Sequence, residues 1–304
     1  MIAGPTGTGK SETATRVALR IDGEILGCDA VQVYRGLDAA SAKPSAAARA
    51  LVPHHLIDFV DPRRSYTLAD YVRDAETAIA AIAARGRVPI VVGGTGLYLR
   101  GLLRGIVSAP PVDPEVRRRL RAMASRRGSA RLHRWLAGVD PDSARRIPPG
   151  DAQRVTRALE IALGGDTTWS ERLRREGTWG AGIERFPALK VGLDTLPERL
   201  DARLPQRVAV FFDAGLVSEV QHLLAEGVPP HANAFKGIGY REVLSALERH
   251  GDPATVGDDV VQATRRYRRR QRTWFRGEAG MVWLDAESGP DALSARIVEL
   301  WRST

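Results

Sequence analysis

The first residues whose types and spacing point to chemistry form a glycine-rich loop near the start of the chain. The pattern G-x-x-x-x-G-K-[ST] is matched at every fixed position by Gly4-Pro5-Thr6-Gly7-Thr8-Gly9-Lys10-Ser11. In such a loop backbone N–H groups surround phosphate oxygens, the lysine reaches the outer phosphate, and the serine hydroxyl ligates Mg²⁺. We interpret the segment as a phosphate-binding loop; the alternative is a chance glycine-rich turn.

A single acid, Asp29, follows the next predicted strand, "GEILGC". P-loop proteins that hydrolyse nucleotides commonly end a second buried strand in an aspartate that helps to hold Mg²⁺. Here the candidate strand "VPIVV" runs instead into Gly93-Gly94-Thr95-Gly96, without an acid. Asp29 is expected at the carboxyl edge of a sheet, where it can accept a proton from an attacking group. It can equally cap the loop that follows, and its position alone does not decide between the two roles.

These residues need elements that position them. A helix is predicted directly after the loop, because Ala14, Val17, Ala18 and Ile21 recur at helical spacing. Only Met1-Ile2-Ala3 precede the loop, whereas a buried strand usually has about five residues. We therefore expect either a start codon upstream of Met1 or a shortened first strand.

The predicted secondary structure changes twice along the rest of the chain. Residues 1–105 alternate strands and helices, which predicts a mostly parallel sheet. From about residue 113 no convincing strand appears, and short helices begin at Asp-Pro or Pro-Gly-Asp. Strands return at "ALKVGLD" and "GMVWLDA". We predict an α/β core, residues 1–112 and 191–304, with an all-helical insertion at 113–190; the polar stretch "SERLRREGTWGAGIERF" is expected to be mobile.

The composition restricts the partners. The formal net charge is +9 and nearly all of the positive charge is arginine, which favours a polyanionic partner. No apolar run approaches the ~20 residues that span a bilayer, so no membrane association is predicted. The only cysteine, Cys28, excludes an internal disulfide framework and indicates a cytoplasmic chain.

A longer series of motifs is similar to one family. The tRNA dimethylallyltransferases carry, in the same order, segments resembling "GPTGTGKS", "CDAVQVYRGLD", "AKP", "VPHHLID", "YTLADY", "VGGTGLYLRGLL", "DPEVR", "DAQRVTRALE", "GIGYREV" and "RRRQRTWFR". The resemblance covers essentially the whole chain. It implies a P-loop NTPase-like core with a helical insertion, acting as a monomer. It also implies transfer of a dimethylallyl group from dimethylallyl diphosphate to the exocyclic N6 amine of an adenosine beside the tRNA anticodon.

The resemblance also implies roles for individual residues. Residues 4–11 would hold the diphosphate, with Lys10 neutralising the departing group and Ser11 helping to hold Mg²⁺. Asp29 would take the proton from N6, Thr95 would contact the reacting centre, and Arg241 would contact the diphosphate or nearby RNA. The residues that the resemblance places against tRNA are Asp29, Ala30, Val31, Gln32, Thr95, Arg117, Gln153, Arg154, Val155, Thr156, Arg157, Lys236, Gly239, Tyr240, Arg241, Arg270, Gln271 and Trp274.

One helical segment near the end of the chain carries two stripes. One is basic (Arg265, Arg269, Arg272 and Arg276) and the other mixed (Thr264, Tyr267, Gln271 and Trp274). Either the pair is a solvated face beside a packing seam, or it contacts RNA. Beside the other motifs we favour RNA contact.

Three other functions remain as alternatives. An ATP-dependent small-molecule kinase would need a metal-holding acid after the second strand. A prenyltransferase acting on free adenine nucleotides would have little use for the insertion or the basic stripe. A non-catalytic RNA-binding protein would not need Lys10, Ser11 and Asp29 together. One departure from the family pattern bears on the fold: Pro205 should kink or restart a helix unless it lies in a first turn.

Overall fold

A computed structural model of the chain describes residues 1–107, 113–176 and 184–304. These residues form two compact units, one of Met1–Leu103 with Phe186–Thr304 and one of Arg104–Arg185. The second unit therefore begins and ends earlier than the predicted insertion at 113–190. Residue 190 itself belongs to a strand of the first unit.

The first unit is built on one six-stranded sheet. Its strands, in chain order, are β1 (Ile2–Ala3), β2 (Gly23–Cys28), β3 (His54–His55), β4 (Val88–Gly93), β5 (Lys190–Asp194) and β6 (Met281–Asp285). Their order across the sheet is β3-β2-β4-β1-β5-β6, and every pairing is parallel. The prediction of a mostly parallel α/β sheet is confirmed. Strand β1 is as short as the sequence suggested, yet it pairs with a strand on each side.

The described residues form fifteen α-helices in addition to the strands. They are α1 (Lys10–Ile21), α2 (Ala46–Leu51), α3 (Leu68–Ala84), α4 (Gly96–Arg104), α5 (Pro114–Arg127), α6 (Ser129–Val139), α7 (Pro141–Arg146), α8 (Ala152–Gly164), α9 (Trp169–Glu176), α10 (Pro197–Ala202), α11 (Leu204–Asp213), α12 (Leu216–Ala225), α13 (Tyr240–Glu248), α14 (Gly257–Arg276) and α15 (Gly289–Arg302). Short 3₁₀ turns lie at Asn233–Lys236, Pro253–Val256 and Ala286–Ser288.

Local sequence signals explain several boundaries. Helix α1 buries Ala14, Val17 and Ala18, three of the four residues whose spacing predicted it. Helix α3 begins with a capping box, in which Thr67 and Asp70 each satisfy a backbone N–H of the other. Pro205 lies in the first turn of α11, directly after α10 ends, so the helix restarts there as the proline predicts.

The second unit contains only helices among its described residues. Asp113, Asp140 and Asp151 cap the first turns of α5, α7 and α8, which confirms the helix starts read from Asp-Pro and Pro-Gly-Asp. Leucines of α5, α6 and α8 form its core. The stretch expected to be mobile begins with α9; residues 177–183 of it lie outside the described residues.

The described helices were compared with the requirements for a membrane span. None is by itself long and apolar enough to cross a bilayer. One pair, Pro197–Asp213 and Leu216–Ala225, meets the requirement in combination but is bent by 45°. Leu204, Val208 and Leu216 of this pair are core residues of the first unit.

Candidate active site

The carboxyl ends of three neighbouring strands, β2, β4 and β1, meet at one edge of the parallel sheet. A Cβ added to Gly93 would lie 2.0 Å from the carbonyl oxygen of Cys28, so only glycine lets the ends of β4 and β2 approach this closely. The backbone N–H of Thr95 donates to the same carbonyl at 3.2 Å. The phosphate loop, Asp29 and Thr95 therefore share this edge, as predicted for a site at the end of an α/β sheet.

The loop between β1 and α1 has the strained backbone of a phosphate loop. Gly4 has φ +143° and its missing Cβ would overlap the carbonyl oxygen of Leu193, at 2.1 Å. Gly9 has φ +75° at the N-cap of α1, where the positive end of the helix begins. The ammonium of Lys10 donates to the carbonyl of Pro5 at 2.6 Å, so it folds back over the loop. Ser11 is exposed at the start of α1.

The cations near this loop are short of negative partners. The pKa of the Lys10 ammonium is lowered from 10.5 to about 7, mainly by burial; the charges of Arg207 and Arg268 also lower it, and Asp29 raises it. Burial also lowers the pKa of Arg207, whose guanidinium lies over the ring of Phe211. Neither Lys10 nor Arg207 forms an ion pair with an acid in the described part of the chain. This arrangement suits a bound polyanion.

Asp29 is half-buried, and only one of its two carboxylate oxygens is hydrogen-bonded within the described part of the chain. Its Oδ1 accepts hydrogen bonds from the backbone N–H groups of Val31 (2.8 Å) and Gln32 (3.2 Å). Its Oδ2 has no hydrogen-bond partner among the described residues. Burial raises the pKa of this carboxyl, while the two N–H groups and Lys10 oppose the rise. The result is an oriented carboxylate with one free oxygen and increased basicity.

Thr95 connects the glycine turn to the loop after Asp29. Its hydroxyl oxygen accepts a hydrogen bond from the backbone N–H of Ala30 at 3.2 Å. The hydroxyl of Tyr267 on α14 also lies beside Thr95, and the pKa of Tyr267 is raised by burial and by the charge of Asp29. Thr95 is thus fixed beside Asp29, and α14 contributes the residue that contacts it.

Helix α14 packs against the loop and the glycine turn. The side-chain amide of Gln271 accepts from the N–H of Thr6 (3.0 Å) and donates to the carbonyl of Gly94 (2.9 Å). The ring of Trp274 lies where a Cβ on Gly96 would be, and Arg100 stacks on that ring. Gln271 and Trp274 were both predicted to contact tRNA. Both polar atoms of the Gln271 side chain are hydrogen-bonded to the protein backbone. Its contact with tRNA stays a prediction.

The basic and mixed stripes of α14 are each only partly exposed, whereas the sequence interpretation treated each stripe as a whole. Arg272 is paired with Asp194, and Arg265 with Asp201. Thr264 and Gln271 are buried, so that part of the mixed stripe is a packing seam. Arg269, Arg270 and Arg276 are exposed and available to a polyanion.

The loop after Asp29 is closed by side chains. The amide nitrogen of Gln32 donates to the carbonyls of Ser41 and Ala42. The buried ammonium of Lys43 donates to the carbonyl of Tyr34 and to the carboxylates of Asp38 and Asp58. This network gives the predicted base-reading residues a defined backbone.

The "GIGYR" segment packs against the same loop. A Cβ on Gly237 would meet Val31 at 3.1 Å, and the hydroxyl of buried Tyr240 accepts from the N–H of Ala40. Gly239 has φ +94° and starts α13. Arg241 is exposed and bonded to Glu242, and Lys236 donates to Asn233. The predicted contact of Arg241 with diphosphate or RNA stays a prediction.

The remaining predicted tRNA contacts lie in the second unit. Arg117 and Arg157 both pair with Glu160, whose side chain is buried. Val155 and Thr156 face the core of this unit, with 0% and 6% exposure. Gln153 and Arg154 are exposed in the first turn of α8. Among these residues, a tRNA contact through side chains is therefore open mainly to Gln153, Arg154, Arg117 and Arg157.

Two arginines at the site were missed by sequence reasoning. Arg207 is on α11, far along the chain from the loop, and no local pattern marks it. Arg268 had a signal, since it follows Thr264 by four residues and precedes Gln271 by three. That spacing puts it on the buried face of α14.

Comparison with known proteins gives consistent matches. Residues 32–278 match the family model of IPP transferase, and residues 1–52 match that of isopentenyl transferase. The tRNA dimethylallyltransferase of Anaeromyxobacter dehalogenans is 46% identical over 98% of each chain. The crystal structure of tRNA isopentenylpyrophosphate transferase from Bacillus halodurans is similar with a TM-score of 0.73 at 32% identity, covering 99% of this chain and 94% of that one. The crystal structure of a eukaryotic dimethylallyltransferase acting on tRNA is similar with a TM-score of 0.76 at 28% identity, covering 94% of this chain and 73% of that one.

Proposed function

The chain belongs to the tRNA dimethylallyltransferase family, and on that premise we propose its reaction. It transfers the dimethylallyl group of dimethylallyl diphosphate to N6 of the adenosine 3′ of the anticodon (A37), in tRNAs that read codons starting with U. The products are N6-isopentenyladenosine and diphosphate. The observation that carries the proposal is the phosphate loop, whose cations Lys10 and Arg207 form no ion pair within the described residues, beside the half-buried, oriented carboxylate of Asp29.

The diphosphate is held by residues 4–11. Backbone N–H groups and the start of α1 bind its oxygens, while Lys10 and Arg207 supply positive charge. The charges of Arg207 and Arg268 lie close enough to lower the pKa of Lys10, and a bound anion offsets that repulsion. When the C1–O bond breaks, negative charge accumulates on the diphosphate, so these groups stabilise the leaving group most in the transition state.

Asp29 is the proton acceptor. As N6 forms its bond to the prenyl C1, it becomes positively charged and must lose a proton. The free Oδ2 takes this proton, because Oδ1 is held by the N–H groups of Val31 and Gln32. The pKa raised by burial makes the carboxylate a better base than an exposed aspartate. Thr95, fixed next to Ala30, contacts the reacting centre near the bridging oxygen.

Mg²⁺ fits this donor set as a substrate-bound ion. The described residues contain no group of three or more His, Cys, Asp or Glu side chains that could hold a metal ion. Mg²⁺ commonly uses only one or two protein oxygens together with phosphate oxygens and water. Ser11, exposed at the start of α1, would hold it beside the diphosphate. The ion would neutralise charge on the leaving group.

The tRNA is bound by exposed arginines and by the loop after Asp29. Arg269, Arg270 and Arg276 offer phosphate contacts, and residues 29–32 line the position of the adenine. The adenine must leave its stack to reach Asp29, at a cost of a few kcal/mol. We propose a monomer acting in the cytoplasm; the buried, unpaired Cys28 is in keeping with a reducing compartment.

The test is transfer from labelled dimethylallyl diphosphate, with tRNA and AMP as parallel acceptors and Mg²⁺ present. Wild type, Asp29→Ala and Asp22→Asn are compared, since Asp22 is an exposed acid just before β2. Label on tRNA alone, lost only in Asp29→Ala, supports the proposal. Label on AMP would favour the free-nucleotide alternative, and a folded protein that labels neither acceptor would exclude the activity.

A further inference from the structure

One buried cation at the site has no role in the proposed reaction. Arg268 lies on α14 with 5% exposure. Its Nε donates to the carbonyl of Thr6 at 2.9 Å, and another guanidinium nitrogen donates to the carbonyl of Leu200 at 2.5 Å. The guanidinium therefore links the phosphate loop to α10, two segments nearly 200 residues apart. A buried guanidinium is costly unless it is well bonded, so this position is specific.

The same side chain lies directly against the loop backbone. A Cβ on Gly7 would be 2.6 Å from a terminal nitrogen of Arg268, and Gly7 has φ +91°. Two side chains of α14 therefore fix the Thr6–Gly7 limb, the part of the loop backbone at these two residues. Arg268 donates to the carbonyl of Thr6, and Gln271 accepts from its N–H. A loop that binds phosphate with backbone N–H groups depends on the shape of that backbone.

The charges around Arg268 are mostly positive. Its pKa is lowered to about 10, mainly by burial and also by the charges of Arg207 and Arg203, while Asp201 raises it. Asp201 is 3.7 Å away and is shared with Arg265. Arg268 is therefore charged at neutral pH and adds to the positive field felt by Lys10.

We propose that Arg268 is a positioning residue for the diphosphate. It holds the Thr6–Gly7 limb in its phosphate-binding shape and adds positive charge behind it, without contacting the reacting atoms. The inference rests on the proposed function, because it assumes that the loop binds a diphosphate.

Three variants separate this role from simple packing. Arg268→Met keeps most of the side-chain volume but removes the charge and both hydrogen bonds. Arg268→Lys keeps the charge but cannot bridge the carbonyls of Thr6 and Leu200 with a planar fork. Arg266→Met is the control, since Arg266 is exposed on the same helix. Binding of inorganic pyrophosphate with Mg²⁺ is measured by calorimetry, and KM for tRNA and thermal midpoint are measured in parallel.

We expect pyrophosphate to bind about tenfold or more weakly to Arg268→Met, as for loss of charged hydrogen bonds. Arg268→Lys should be several-fold weaker than wild type and Arg266→Met unchanged, with KM for tRNA within about twofold throughout. Wild-type affinity in Arg268→Met, or in Arg268→Lys where Arg268→Met does not fold, would overturn the inference. A lower midpoint with unchanged pyrophosphate binding would do the same. Because pyrophosphate binding needs no prenyl transfer, failure of the proposed activity is seen separately in the labelling assay.

Discussion

The two ends of strand β2 carry acids with opposite electrostatic environments. Glu24, near the amino end, is buried and bonded to Arg85 and His55, and Arg87 lies within ion-pair distance. The hydrogen bonds and charge of Arg85, together with the hydrogen bond to His55, lower the pKa of Glu24 to about 2, although burial opposes the shift. Asp29, directly after the carboxyl end, has no arginine partner in the described part of the chain, and burial raises its pKa. Five residues apart, one carboxylate is neutralised by its neighbours and the other is kept basic.

The cations follow the same division. Around Glu24, Arg85 and Arg87 each form an ion pair with an acid. These charges stabilise the folded state and leave little net positive potential to attract an anionic ligand. Around Asp29 the cations Lys10 and Arg207 repel each other, and their pKa values are lowered. Unbalanced charge of this kind is costly in the free protein and becomes favourable when an anion binds. This difference supports our proposal that the chemistry takes place at the carboxyl edge, whereas the charges at the amino edge stabilise the fold.

The largest predicted effect is on catalysis at the carboxyl end. Asp29→Asn should lower kcat for tRNA prenylation by about 10²–10⁴-fold, the range for loss of a general base. The asparagine keeps an oxygen for the N–H groups of Val31 and Gln32, so binding of pyrophosphate should be unchanged. Single-turnover transfer of labelled prenyl group measures the effect. A kcat within tenfold of wild type would remove Asp29 from the base role.

The second effect is on stability at the amino end. Glu24→Gln should destabilise the fold by about 2 kcal/mol, because the charge-assisted hydrogen bonds of the buried carboxylate to Arg85 and His55 are lost. The pKa of Glu24 is lowered on folding, so its stabilisation is complete above pH 4.5 and is lost as the pH falls towards 2. Denaturant unfolding at pH 7 and pH 3.5 should therefore show a smaller difference between variant and wild type at the lower pH.

The matched control for Glu24→Gln is Asp22→Asn. Asp22 is 78% exposed and lies 3.6 Å from Arg87, so its removal should change stability by less than about 0.5 kcal/mol. Both variants should keep wild-type kcat per folded molecule. If Glu24→Gln lowered kcat at full folding, the division between the two ends of β2 would be wrong.

Sequence reasoning found the carboxyl end because its signals are local. The phosphate loop is one contiguous motif, and Asp29 and Thr95 each follow a recognisable strand. Parallel pairing then brings the strand ends together, which the pattern of alternating strands and helices already implied. The amino end gave no such signal, since Glu24 lies inside a strand and its partners Arg85 and Arg87 follow a helix about 60 residues later.

The parts that sequence missed depend on packing between distant elements. Arg207 reaches the site because α11 packs against α14, the helix that contacts the loop. The arginines of α14 look alike in sequence, but the structure buries Arg268, pairs Arg272 with Asp194 and leaves Arg270 exposed. Which arginine is inside depends on the helix face that meets the sheet edge. That face is set by Gln271 and Trp274 against glycines 94 and 96.

The third effect concerns the unbalanced cations. Arg207→Met should raise KM for dimethylallyl diphosphate about 10–100-fold, with a smaller change in KM for tRNA, because a charged group that meets the diphosphate is lost. Arg203→Met is the control: Arg203 is 59% exposed and paired with Glu287. Steady-state kinetics with each substrate varied separately distinguish the two. Equal effects of both substitutions would mean that general positive charge, not Arg207 itself, matters.

The smallest effect has the opposite sign from the loss at Glu24. Because burial raises the pKa of Asp29 above its unfolded value, its ionised form costs stability at neutral pH, and that cost disappears as the pH falls through the folded pKa. Asp29→Asn removes the charge and should stabilise the free protein by about 0.5–1 kcal/mol at pH 7. The gain should shrink as the pH falls, because the cost of the ionised form decreases when Asp29 binds a proton. Thermal unfolding at pH 7 and pH 4 measures it; a loss of stability at pH 7 would show that Asp29, like Glu24, is retained for the fold.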